Sequence, residues 1–413
     1  MRFVKRTFAM AVAATVMCAA STSCSNEPGG SSAQRVEIQL TPAQKVISDN
    51  NVEFSISMFK ALNALNEKDN VLAAPFSTST VLSVLANGST GTTNEEIINA
   101  LKTGNDNAAI NEYYKTVLEG LQKADRSVTL KFANSVWLTN QLSPEKEFSD
   151  ICTNYYSTPV SAIDFTSDNA LNTINNWVKE HTGGVIEKLF DQIGHSSRFC
   201  ITNACYFNGK WKTPFKEDYS RSGNFKNHKG FTENVMYMNE DISVSGLQGD
   251  SADIIELPYG KEAFVMDVIV PHTDINSYIS SFNTEKFQEL TNGMKYMYWH
   301  LSMPRFKAKF SYNLIPMLKK IGVKAAFQQS NDFDAMAKTT VKCGVDQFVQ
   351  KSAIEVSEEG TKVVVATGAT GLDTYDSGYP FEISTPFIYV IRETSSNTIL
   401  FIGKVQSMKS ITF

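Results

Sequence analysis

Histidines beside potential nucleophiles are the first places to look for chemistry in this chain. His195 precedes Ser196 and Ser197, and these residue types can form a nucleophile and base pair. However, Gly194 to Ser197 is typical of a polar turn before a strand. The sequence also contains no Gly-x-Ser-x-Gly elbow, no His-Glu-x-x-His motif and no Gly-rich phosphate loop after a strand. We therefore predict that the protein is not an enzyme.

Cysteine chemistry gives a second set of candidates. Cys152, Cys200, Cys205 and Cys343 remain once residues 1–24 are set aside, and none belongs to a Cys-x-x-Cys pair. Cys200 and Cys205 are an odd number of positions apart on one predicted strand, so they face opposite sides and cannot pair with each other. The pattern predicts mostly buried free thiols, although an oxidising compartment would permit a bridge. It predicts no metal site and no cofactor.

The chemistry that the sequence does favour is cleavage of this chain by another protein. Residues 361, 363, 365 and 367 are Thr, Val, Val and Thr, so they form an uncharged row on one face of a strand, while Lys362 points the other way. Such an apolar, strand-forming segment is an aggregation hazard on a surface. Its presence indicates a segment that enters a sheet at some stage.

A long cleavable loop follows that segment. Residues 368–379 include three glycines and no proline, so they suit an extended, exposed conformation that a protease cleft can accept. After Pro380, residues 381–391 form a second segment of the buried strand type. Taken alone, this pattern also fits an ordinary hairpin with a loose loop.

The succession Glu358-Glu359-Gly360-Thr361, a β-branched run, a loop and then a Pro-Phe strand resembles the hinge and reactive-centre loop of the serpins. Four upstream and downstream segments resemble the same family in the same order. Residues 70–77 resemble the start of its helix B, residues 203–211 the third strand of sheet A with the Trp beneath the loop, residues 303–306 with 314–327 the approach to its last long helix, and residues 399–405 its C-terminal strand.

This resemblance implies an α+β serpin fold with three β-sheets, of which sheet A is large and central, eight to nine helices and an exposed reactive-centre loop. It implies a suicide-substrate inhibitor: a target protease cleaves the loop, which then inserts into sheet A while the protease is held as a covalent acyl-enzyme. The partners implied are serine proteases of a host or competitor, with cysteine proteases left open, and the protein is expected to be monomeric. The alternative is a non-inhibitory relative whose loop is only a substrate.

The resemblance also assigns site residues. The hinge comprises Glu358, Glu359, Gly360, Thr361, Lys362, Val363, Val364, Val365 and Ala366. The shutter and breach of sheet A comprise Ser77, Asn203, Trp211 and Gln350. Gln350 replaces a family His, and the three valines replace the usual small hinge residues, so the efficiency of insertion is in question more than the fold. We expect Thr361 to start in solvent and to end on the inward face of the sheet.

The position of the scissile bond depends on where the counting begins. Family spacing counted forward from Gly360 places Thr374 on the acyl side, whereas counting back from Pro386 places Tyr375 there. A Thr suits elastase-like or subtilisin-like proteases and a Tyr suits chymotrypsin-like ones. Asp373 and Asp376 disfavour trypsin-like targets.

The N-terminal residues have the pattern of a targeting segment. Basic residues precede an apolar stretch too short to span a bilayer, and small residues lead to Cys24. This resembles the lipobox of bacterial lipoproteins and predicts a signal peptide at 1–23, acylation of Cys24, a flexible tether at 24–40 and a single serpin domain at 41–413. Export and anchoring at the outer membrane, cell surface or periplasm follow; an ordinary secretory signal cut near Ser23 is the competing interpretation.

Charge excludes several partner classes. The net charge of −5 over 413 residues gives no reason to expect nucleic acid, and a membrane is expected only through the lipid anchor. In the predicted helix at 107–123, where some serpins carry a basic heparin site, Lys115 and Lys123 are balanced by Glu112 and Glu119. We therefore expect no heparin-type cofactor site.

Overall fold

The structure is a computed structural model that describes residues 35–339, 342–361 and 378–409. Nine α-helices lie in this described part. They are α1 (Pro42–Leu65), α2 (Pro75–Asn87), α3 (Gly91–Leu101), α4 (Asn107–Ala124), α5 (Lys146–Tyr156), α6 (Ala170–His181), α7 (Ile275–Ser281), α8 (Thr284–Gly293) and α9 (Ile315–Lys320).

Fifteen strands accompany these helices in the described ranges. They are β1 (Val71–Ala73), β2 (Thr129–Thr139), β3 (Val160–Ile163), β4 (Phe199–Lys210), β5 (Arg221–Lys226), β6 (Thr232–Gln248), β7 (Ala252–Tyr259), β8 (Phe264–Pro271), β9 (Lys295–Pro304), β10 (Phe306–Asn313), β11 (Val349–Ser357), β12 (Gly360–Thr361), β13 (Tyr379–Glu382), β14 (Phe387–Glu393) and β15 (Ile399–Val405).

Local chemistry accounts for several helix ends. Thr41 caps α1 by accepting a hydrogen bond from the Gln44 backbone N–H, and the Gln44 side chain in turn accepts one from the Thr41 backbone. The end of α6 is followed by Gly183 and Gly184, both with positive φ, at 68° and 83°. These are the start and the stop that the sequence predicts for the two helices.

The strands form two hydrogen-bonded sheets in the described part of the chain. The six-stranded sheet has the order β10-β11-β12-β4-β2-β3, and the nine-stranded sheet has the order β1-β15-β14-β8-β7-β6-β9-β13 with β5 beside β6. The three sheets that the resemblance implies correspond to the six-stranded sheet and to two groups of strands that are continuous within the nine-stranded one. The 17-residue strand β6 pairs in turn with β5, β9 and β7, so it joins two groups of strands into one sheet.

Two expectations differ from the structure. Residues 381–391 form not one strand but parts of two, because β13 pairs in parallel with β9 whereas β14 pairs antiparallel with β8 and β15. Pro386 lies between them and has no backbone N–H to continue a ladder. Residues 314–327, expected to lead into the last long helix, instead contain the last α-helix of the described residues, the six-residue α9, which is followed by Gly322 at φ 107°.

The domain begins before Thr41, which corrects the predicted tether at 24–40. The Val36 N–H donates to the Ala124 carbonyl at 2.9 Å, and the Ile38 N–H donates to Ser395 Oγ at 2.8 Å. The Ile38 side chain is buried in the main hydrophobic core. Residues 35–40 thus pack along the domain because an apolar side chain and two backbone donors find partners there.

Two hydrophobic clusters lie on opposite faces of the six-stranded sheet. The larger one fills the space between the sheets and the helices and includes Cys205, and the smaller one lies under α6 and includes Cys200. All four cysteines in the described residues are buried and free, as predicted. Burial raises the pKa of the Cys152 thiol to about 12, so this thiol stays protonated and unreactive near neutral pH.

Candidate functional site: one seam of the six-stranded sheet

The two-residue strand β12 (Gly360–Thr361), which we call the wedge, lies at one end of the seam between β4 and β11. The chain turns back at Glu358 and Glu359, and β12 then pairs antiparallel with both neighbours: Thr361 lies opposite Val356 of β11 and Gly209 of β4. A seam is a line along which two strands meet. Here a segment that comes from β11 itself has entered between β11 and β4.

Gly360 is the residue that the wedge requires. Its φ is +148°, a conformation that side-chain-bearing residues rarely adopt. A Cβ at this position would lie 2.3 Å from the Gly209 carbonyl oxygen and 2.6 Å from the Lys210 Cα. Any larger residue would collide with the backbone of β4, so the turn into the sheet depends on this glycine.

Trp211 and Tyr259 fix the wedge and its turn through hydrogen bonds. The Trp211 backbone N–H donates to the Glu359 carbonyl, and its Nε1–H donates to the Ser357 carbonyl, both at 2.9 Å. The Trp211 ring stacks on Tyr259 at 4.5 Å between centroids, and the Tyr259 hydroxyl lies 2.7 Å from Thr361 Oγ1. Burial raises the pKa of Tyr259, so this hydroxyl stays protonated and able to donate to Thr361.

Glu358 places a carboxylate at the turn. Its side chain is only 8% exposed, accepts a hydrogen bond from Ser220 Oγ at 2.8 Å and lies 3.6 Å from the Arg305 guanidinium. Its backbone carbonyl accepts a hydrogen bond from the Phe215 N–H at 2.8 Å. A buried carboxylate needs such partners, and they fix the turn to the neighbouring loops.

A cluster of neutral polar side chains holds the seam at its middle. Asn203 of β4 lies opposite Gln350 of β11, and these two residues with Ala204 and Lys351 make the only direct β4–β11 pairing in the described ranges. Asn203 Nδ2 donates to the carbonyl and to the Oγ of Ser77, each at 2.8 Å, and Gln350 Nε2 donates to Asn203 Oδ1 at 3.1 Å. The amides thus join both strands to the start of α2.

Two members of this cluster were missed from the sequence. Thr78 Oγ1 accepts a hydrogen bond from Gln350 Nε2 at 2.8 Å, and Asn134 Oδ1 lies 3.3 Å from Asn203 Nδ2. The strand register could have indicated Asn134, because it lies directly opposite Asn203 in the β2–β4 pair. Gln350 also accepts a hydrogen bond from the Ala74 N–H at 3.0 Å, which satisfies a donor at the N-terminus of α2.

We call the polar cluster around Asn203 and Gln350 the amide cluster. Between the wedge and the amide cluster, β4 and β11 have no direct pairing in the part of the chain that the structure describes. Residues 205–208 of β4 and 352–355 of β11 lie on the two sides of this stretch. Their backbone groups form two edges that could accept another strand. The seam is therefore held at its middle by side chains and at its end by two residues.

The predicted site residues that the structure describes lie in two groups along the seam. Ser77, Asn203 and Gln350 lie together at the middle of the seam, and Trp211 lies under the wedge with Glu358 to Thr361. The remaining hinge residues Lys362 to Ala366, the predicted scissile residues Thr374 and Tyr375, and Cys24 lie outside the described residues. His195 and Ser196 lie in an exposed turn, closed by the hydrogen bond from the Ser197 N–H to the Gly194 carbonyl.

One expectation about the hinge is wrong. Thr361 does not start in solvent: it is 3% exposed and already hydrogen-bonded to Tyr259. The physical reason is the turn at Glu358 to Gly360, which reverses the chain into the seam instead of letting it leave the sheet. Across the described residues there is no cluster of His, Cys, Asp and Glu that could hold a metal, and no helix long and apolar enough to cross a membrane.

Comparisons with known proteins place this geometry in a family. The family model described as serpin (serine protease inhibitor) matches residues 49–408. Human Serpin B9 is 29% identical over 88% of this chain and 100% of its own length, and the bovine leukocyte elastase inhibitor is 28% identical over 87% and 99%.

Solved structures give the same result. The native state of Tengpin, a thermophilic serpin, superposes with a TM-score of 0.82 at 27% identity, covering 90% of this chain and 96% of that one. Serpin48 of the insect Tenebrio molitor follows with a TM-score of 0.79 at 28% identity over 90% and 100%. Serpins are generally protease inhibitors and not catalysts. With a family model that spans most of its length, this chain belongs to the serpin family.

Proposed function

We propose that this serpin is a suicide-substrate inhibitor of serine proteases, in which cleavage of the loop lets the hinge extend the wedge along the β4–β11 seam. The observation that supports this most directly is the wedge itself, because Gly360 and Thr361 already occupy the register that a longer inserted strand would use. Elastase-like, subtilisin-like or chymotrypsin-like targets fit Thr374 or Tyr375 on the acyl side. Relatives named as elastase inhibitors support the first of these classes.

Continuing the register of Thr361 assigns a place to each inserted residue. Thr361 pairs with Gly209 and Val356, so Val363 would lie between Phe207 and Ile354. Both of those neighbours are buried and apolar, so a valine is stabilised there and a charge is not.

Two residues further on, the neighbours become smaller. Val365 would lie between Cys205 and Ser352, and the small size of these two side chains leaves room for a β-branched residue where the family usually has a smaller one. Thr367 would lie between Asn203 and Gln350, where its hydroxyl would join the amide cluster. The inward row of Thr, Val, Val and Thr thus matches the sequence of neighbours along the seam.

The energy of insertion is large enough to act on a tethered protease. Each new ladder hydrogen bond contributes about 0.5–1.5 kcal/mol net, so about a dozen bonds with the buried valines give on the order of 10 kcal/mol. The uncleaved state is then a kinetic trap, because insertion of the intact loop has a high barrier while both of its ends are fixed. The acyl-enzyme is trapped if insertion is faster than deacylation.

A two-part experiment tests this function. The protein is mixed with pancreatic elastase and with chymotrypsin, and we expect an SDS-stable covalent complex with at least one of them, at a stoichiometry near one to one. The protein cut within residues 371–378 should unfold at a higher temperature than the intact protein. Simple nicking with no complex and an unchanged unfolding temperature would favour the alternative of a non-inhibitory binding protein.

We also propose that the protein acts as a lipid-anchored protein on the cell envelope, because of the small residues before Cys24. Several acyl chains on one cysteine would hold it at a membrane, whereas a single chain would bind only reversibly. We expect Cys24→Ala to move the protein from the membrane fraction to the soluble fraction and to abolish incorporation of labelled fatty acid. Retention of the label in that variant would contradict the proposal.

A further inference from the structure

A row of aromatic side chains lies on β9 beside Gly378, where the described chain resumes after residue 361. On β9 the outward side chains of Tyr296, Tyr298 and His300 form a row, and Tyr296 is 72% exposed. Asp241 of β6 lies opposite His300, with its Oδ1 atom 2.5 Å from His300 Nδ1. We call these four residues the tyrosine surface.

Burial in this domain does not explain the tyrosine surface. Across the described residues, four aromatic side chains count as large and exposed: Tyr219, Phe231, Tyr296 and Tyr379. One of the four, Tyr296, belongs to the tyrosine surface, whereas Tyr379 of the neighbouring β13 lies opposite Trp299 and so faces the other side of the sheet. Exposed tyrosines combine a large apolar ring with a hydroxyl, which is why they are enriched where proteins bind other proteins.

The tyrosine surface is continuous with the end of the loop. A Cβ on Gly378 would lie 2.7 Å from Tyr298 Cδ1 and 2.8 Å from His300 Nε2, so the chain emerges directly against these two rings. Gln248 Nε2 donates to the Pro380 carbonyl at 2.9 Å and ties the next residues to the same sheet. The C-terminal end of the loop is therefore fixed beside the tyrosine surface.

The length of chain brings a bound protease over this surface. Gly378 follows Tyr375 by three positions and Thr374 by four, so a protease held at either bond lies within about 11–14 Å of Gly378 along the chain. A catalytic domain of about 30 Å or more is wider than that distance. A protease oriented towards β9 therefore reaches this corner of the domain.

We infer that the tyrosine surface is a docking site for the target protease on the side of the loop that follows the cleaved bond, with Tyr296 as its principal contact. This inference rests on the proposed function, because it takes a protease bound at the loop as the occupant. The surface strengthens the encounter complex before acylation. Its contribution therefore appears in the association rate, whereas the fate of the acyl-enzyme is decided in the β4–β11 seam.

The test compares Tyr296→Ser with a matched control, Phe231→Ser. Phe231 is also an exposed aromatic residue, at 64%, but it adjoins the N-terminal end of β6, whereas Tyr296 pairs near the C-terminal end of that strand. With chymotrypsin and pancreatic elastase as probes, we expect the association rate constant of Tyr296→Ser to fall about tenfold or more with at least one probe, as for the loss of a central interface aromatic. Phe231→Ser should change it less than about twofold, and the stoichiometry of inhibition should stay unchanged in both.

A second measurement separates this inference from the proposed function. Binding is measured to the same two proteases with their catalytic serine replaced by alanine, so that no acyl-enzyme forms. Weaker binding by Tyr296→Ser supports the docking site even if the active proteases only nick the loop. Equal association rates and equal binding for wild type and Tyr296→Ser with both proteases would overturn the inference, although complex formation would leave the proposed function intact.

Discussion

Two seams of this domain are built from different interactions. The seam between β4 and β11 has two directly paired residues on each strand and is held by the neutral amides of Asn203 and Gln350. The seam between β8 and β14 is paired over six positions, and every residue of both strands is buried. One is closed mostly by side chains and the other by a continuous backbone ladder.

The second seam is also held by charge. Arg392 of β14 donates from Nε to Asp267 of β8 at 2.7 Å and from its guanidinium to Glu256 of β7 at 2.6 Å. Burial raises the pKa of Glu256, and the nearby Asp267 carboxylate raises it further. Separating these strands would leave uncompensated buried charges, which costs several kcal/mol.

The difference shows how one sheet can open while the other stays closed. Neutral amides can exchange one hydrogen-bond partner for another when a strand enters, so parting them leaves no buried charge. The ion pairs of Arg392 with Asp267 and Glu256 cannot exchange partners in this way, because parting β8 and β14 would leave these charges buried and unpaired. This difference supports the proposal that a new strand enters at the β4–β11 seam while the seam between β8 and β14 stays closed.

The largest expected effect comes from a charge carried into the seam. Val363→Glu should place a carboxylate between Phe207 and Ile354, and burying it without a partner costs several kcal/mol. We expect intact loop cleavage but at least about tenfold more inhibitor consumed per protease silenced.

The matched control for this change is its neighbour. Lys362→Gln alters a residue of the opposite strand face and should leave the stoichiometry near that of wild type. Thr361 is unsuitable for this test, because it is already buried and its replacement would disturb the uncleaved protein as well. The same stoichiometry for Val363→Glu and Lys362→Gln would show that the hinge does not follow the register proposed here.

A smaller effect is expected when the amide cluster is removed. Asn203→Ala deletes hydrogen bonds to Ser77 and Gln350 and leaves buried partners unpaired, so unfolding should need about 3 kcal/mol less free energy. Because the lost bonds hold the seam shut, the spontaneous loss of inhibitory activity on warming should be roughly tenfold faster.

Asn175→Ala is the matched control for the seam. Asn175 of α6 is also buried and makes three hydrogen bonds, to the backbone N–H groups of Leu189 and Phe190 and to the Phe190 carbonyl, but none crosses the seam. Its removal should lower stability by a similar amount without a comparable acceleration of activity loss. Equal acceleration in both variants would mean that the amide cluster contributes only general stability.

A pH dependence probes the rigid sheet and has the smallest effect. Lys404 of β15 is fully buried, and desolvation lowers its pKa from 10.5 to about 8. Between these values the unfolded chain binds the proton that the folded protein has released. The free energy of unfolding therefore rises with pH, by about 2 kcal/mol from this group between pH 7.5 and pH 9.5.

Comparison with Lys404→Met isolates that contribution. The lysine Nζ donates to Asn276 Oδ1 at 2.7 Å and to the Glu67 carbonyl, and the loss of these bonds shifts stability equally at every pH. Urea midpoints measured from pH 7.5 to 9.5 should therefore rise more steeply for wild type than for Lys404→Met. Parallel slopes for the two proteins would show that Lys404 stays charged throughout this range.

The sequence predicted those parts of the molecule that local rules control. Local signals mark the ends of two helices, since α2 begins at Pro75 and α6 ends just before the pair Gly183 and Gly184. The opposite faces of Cys200 and Cys205 followed from strand alternation. The family resemblance supplied the order of the remaining elements and the residues at the seam.

Long-range pairing could not be predicted in the same way. Nothing in the local pattern of β6 shows that it continues through three partners and joins two groups of strands. The burial of Thr361 depends on a collision-free turn of Gly360 against the β4 backbone, which is a property of two distant segments. Thr78 was missed because nothing in the sequence indicates that this helical threonine accepts a hydrogen bond from Gln350 of a distant strand.

The wedge of Gly360 and Thr361 has a consequence for the kinetics of trapping. Starting a strand is its slow step, because several dihedral angles must be fixed before the first hydrogen bonds compensate. Here that nucleation has already occurred in the uncleaved protein, with Thr361 in register on both sides. Under the proposed mechanism only propagation remains after cleavage, one residue pair at a time. In that mechanism, insertion therefore begins without a nucleation delay, and the ordering of these two residues favours insertion in its competition with deacylation.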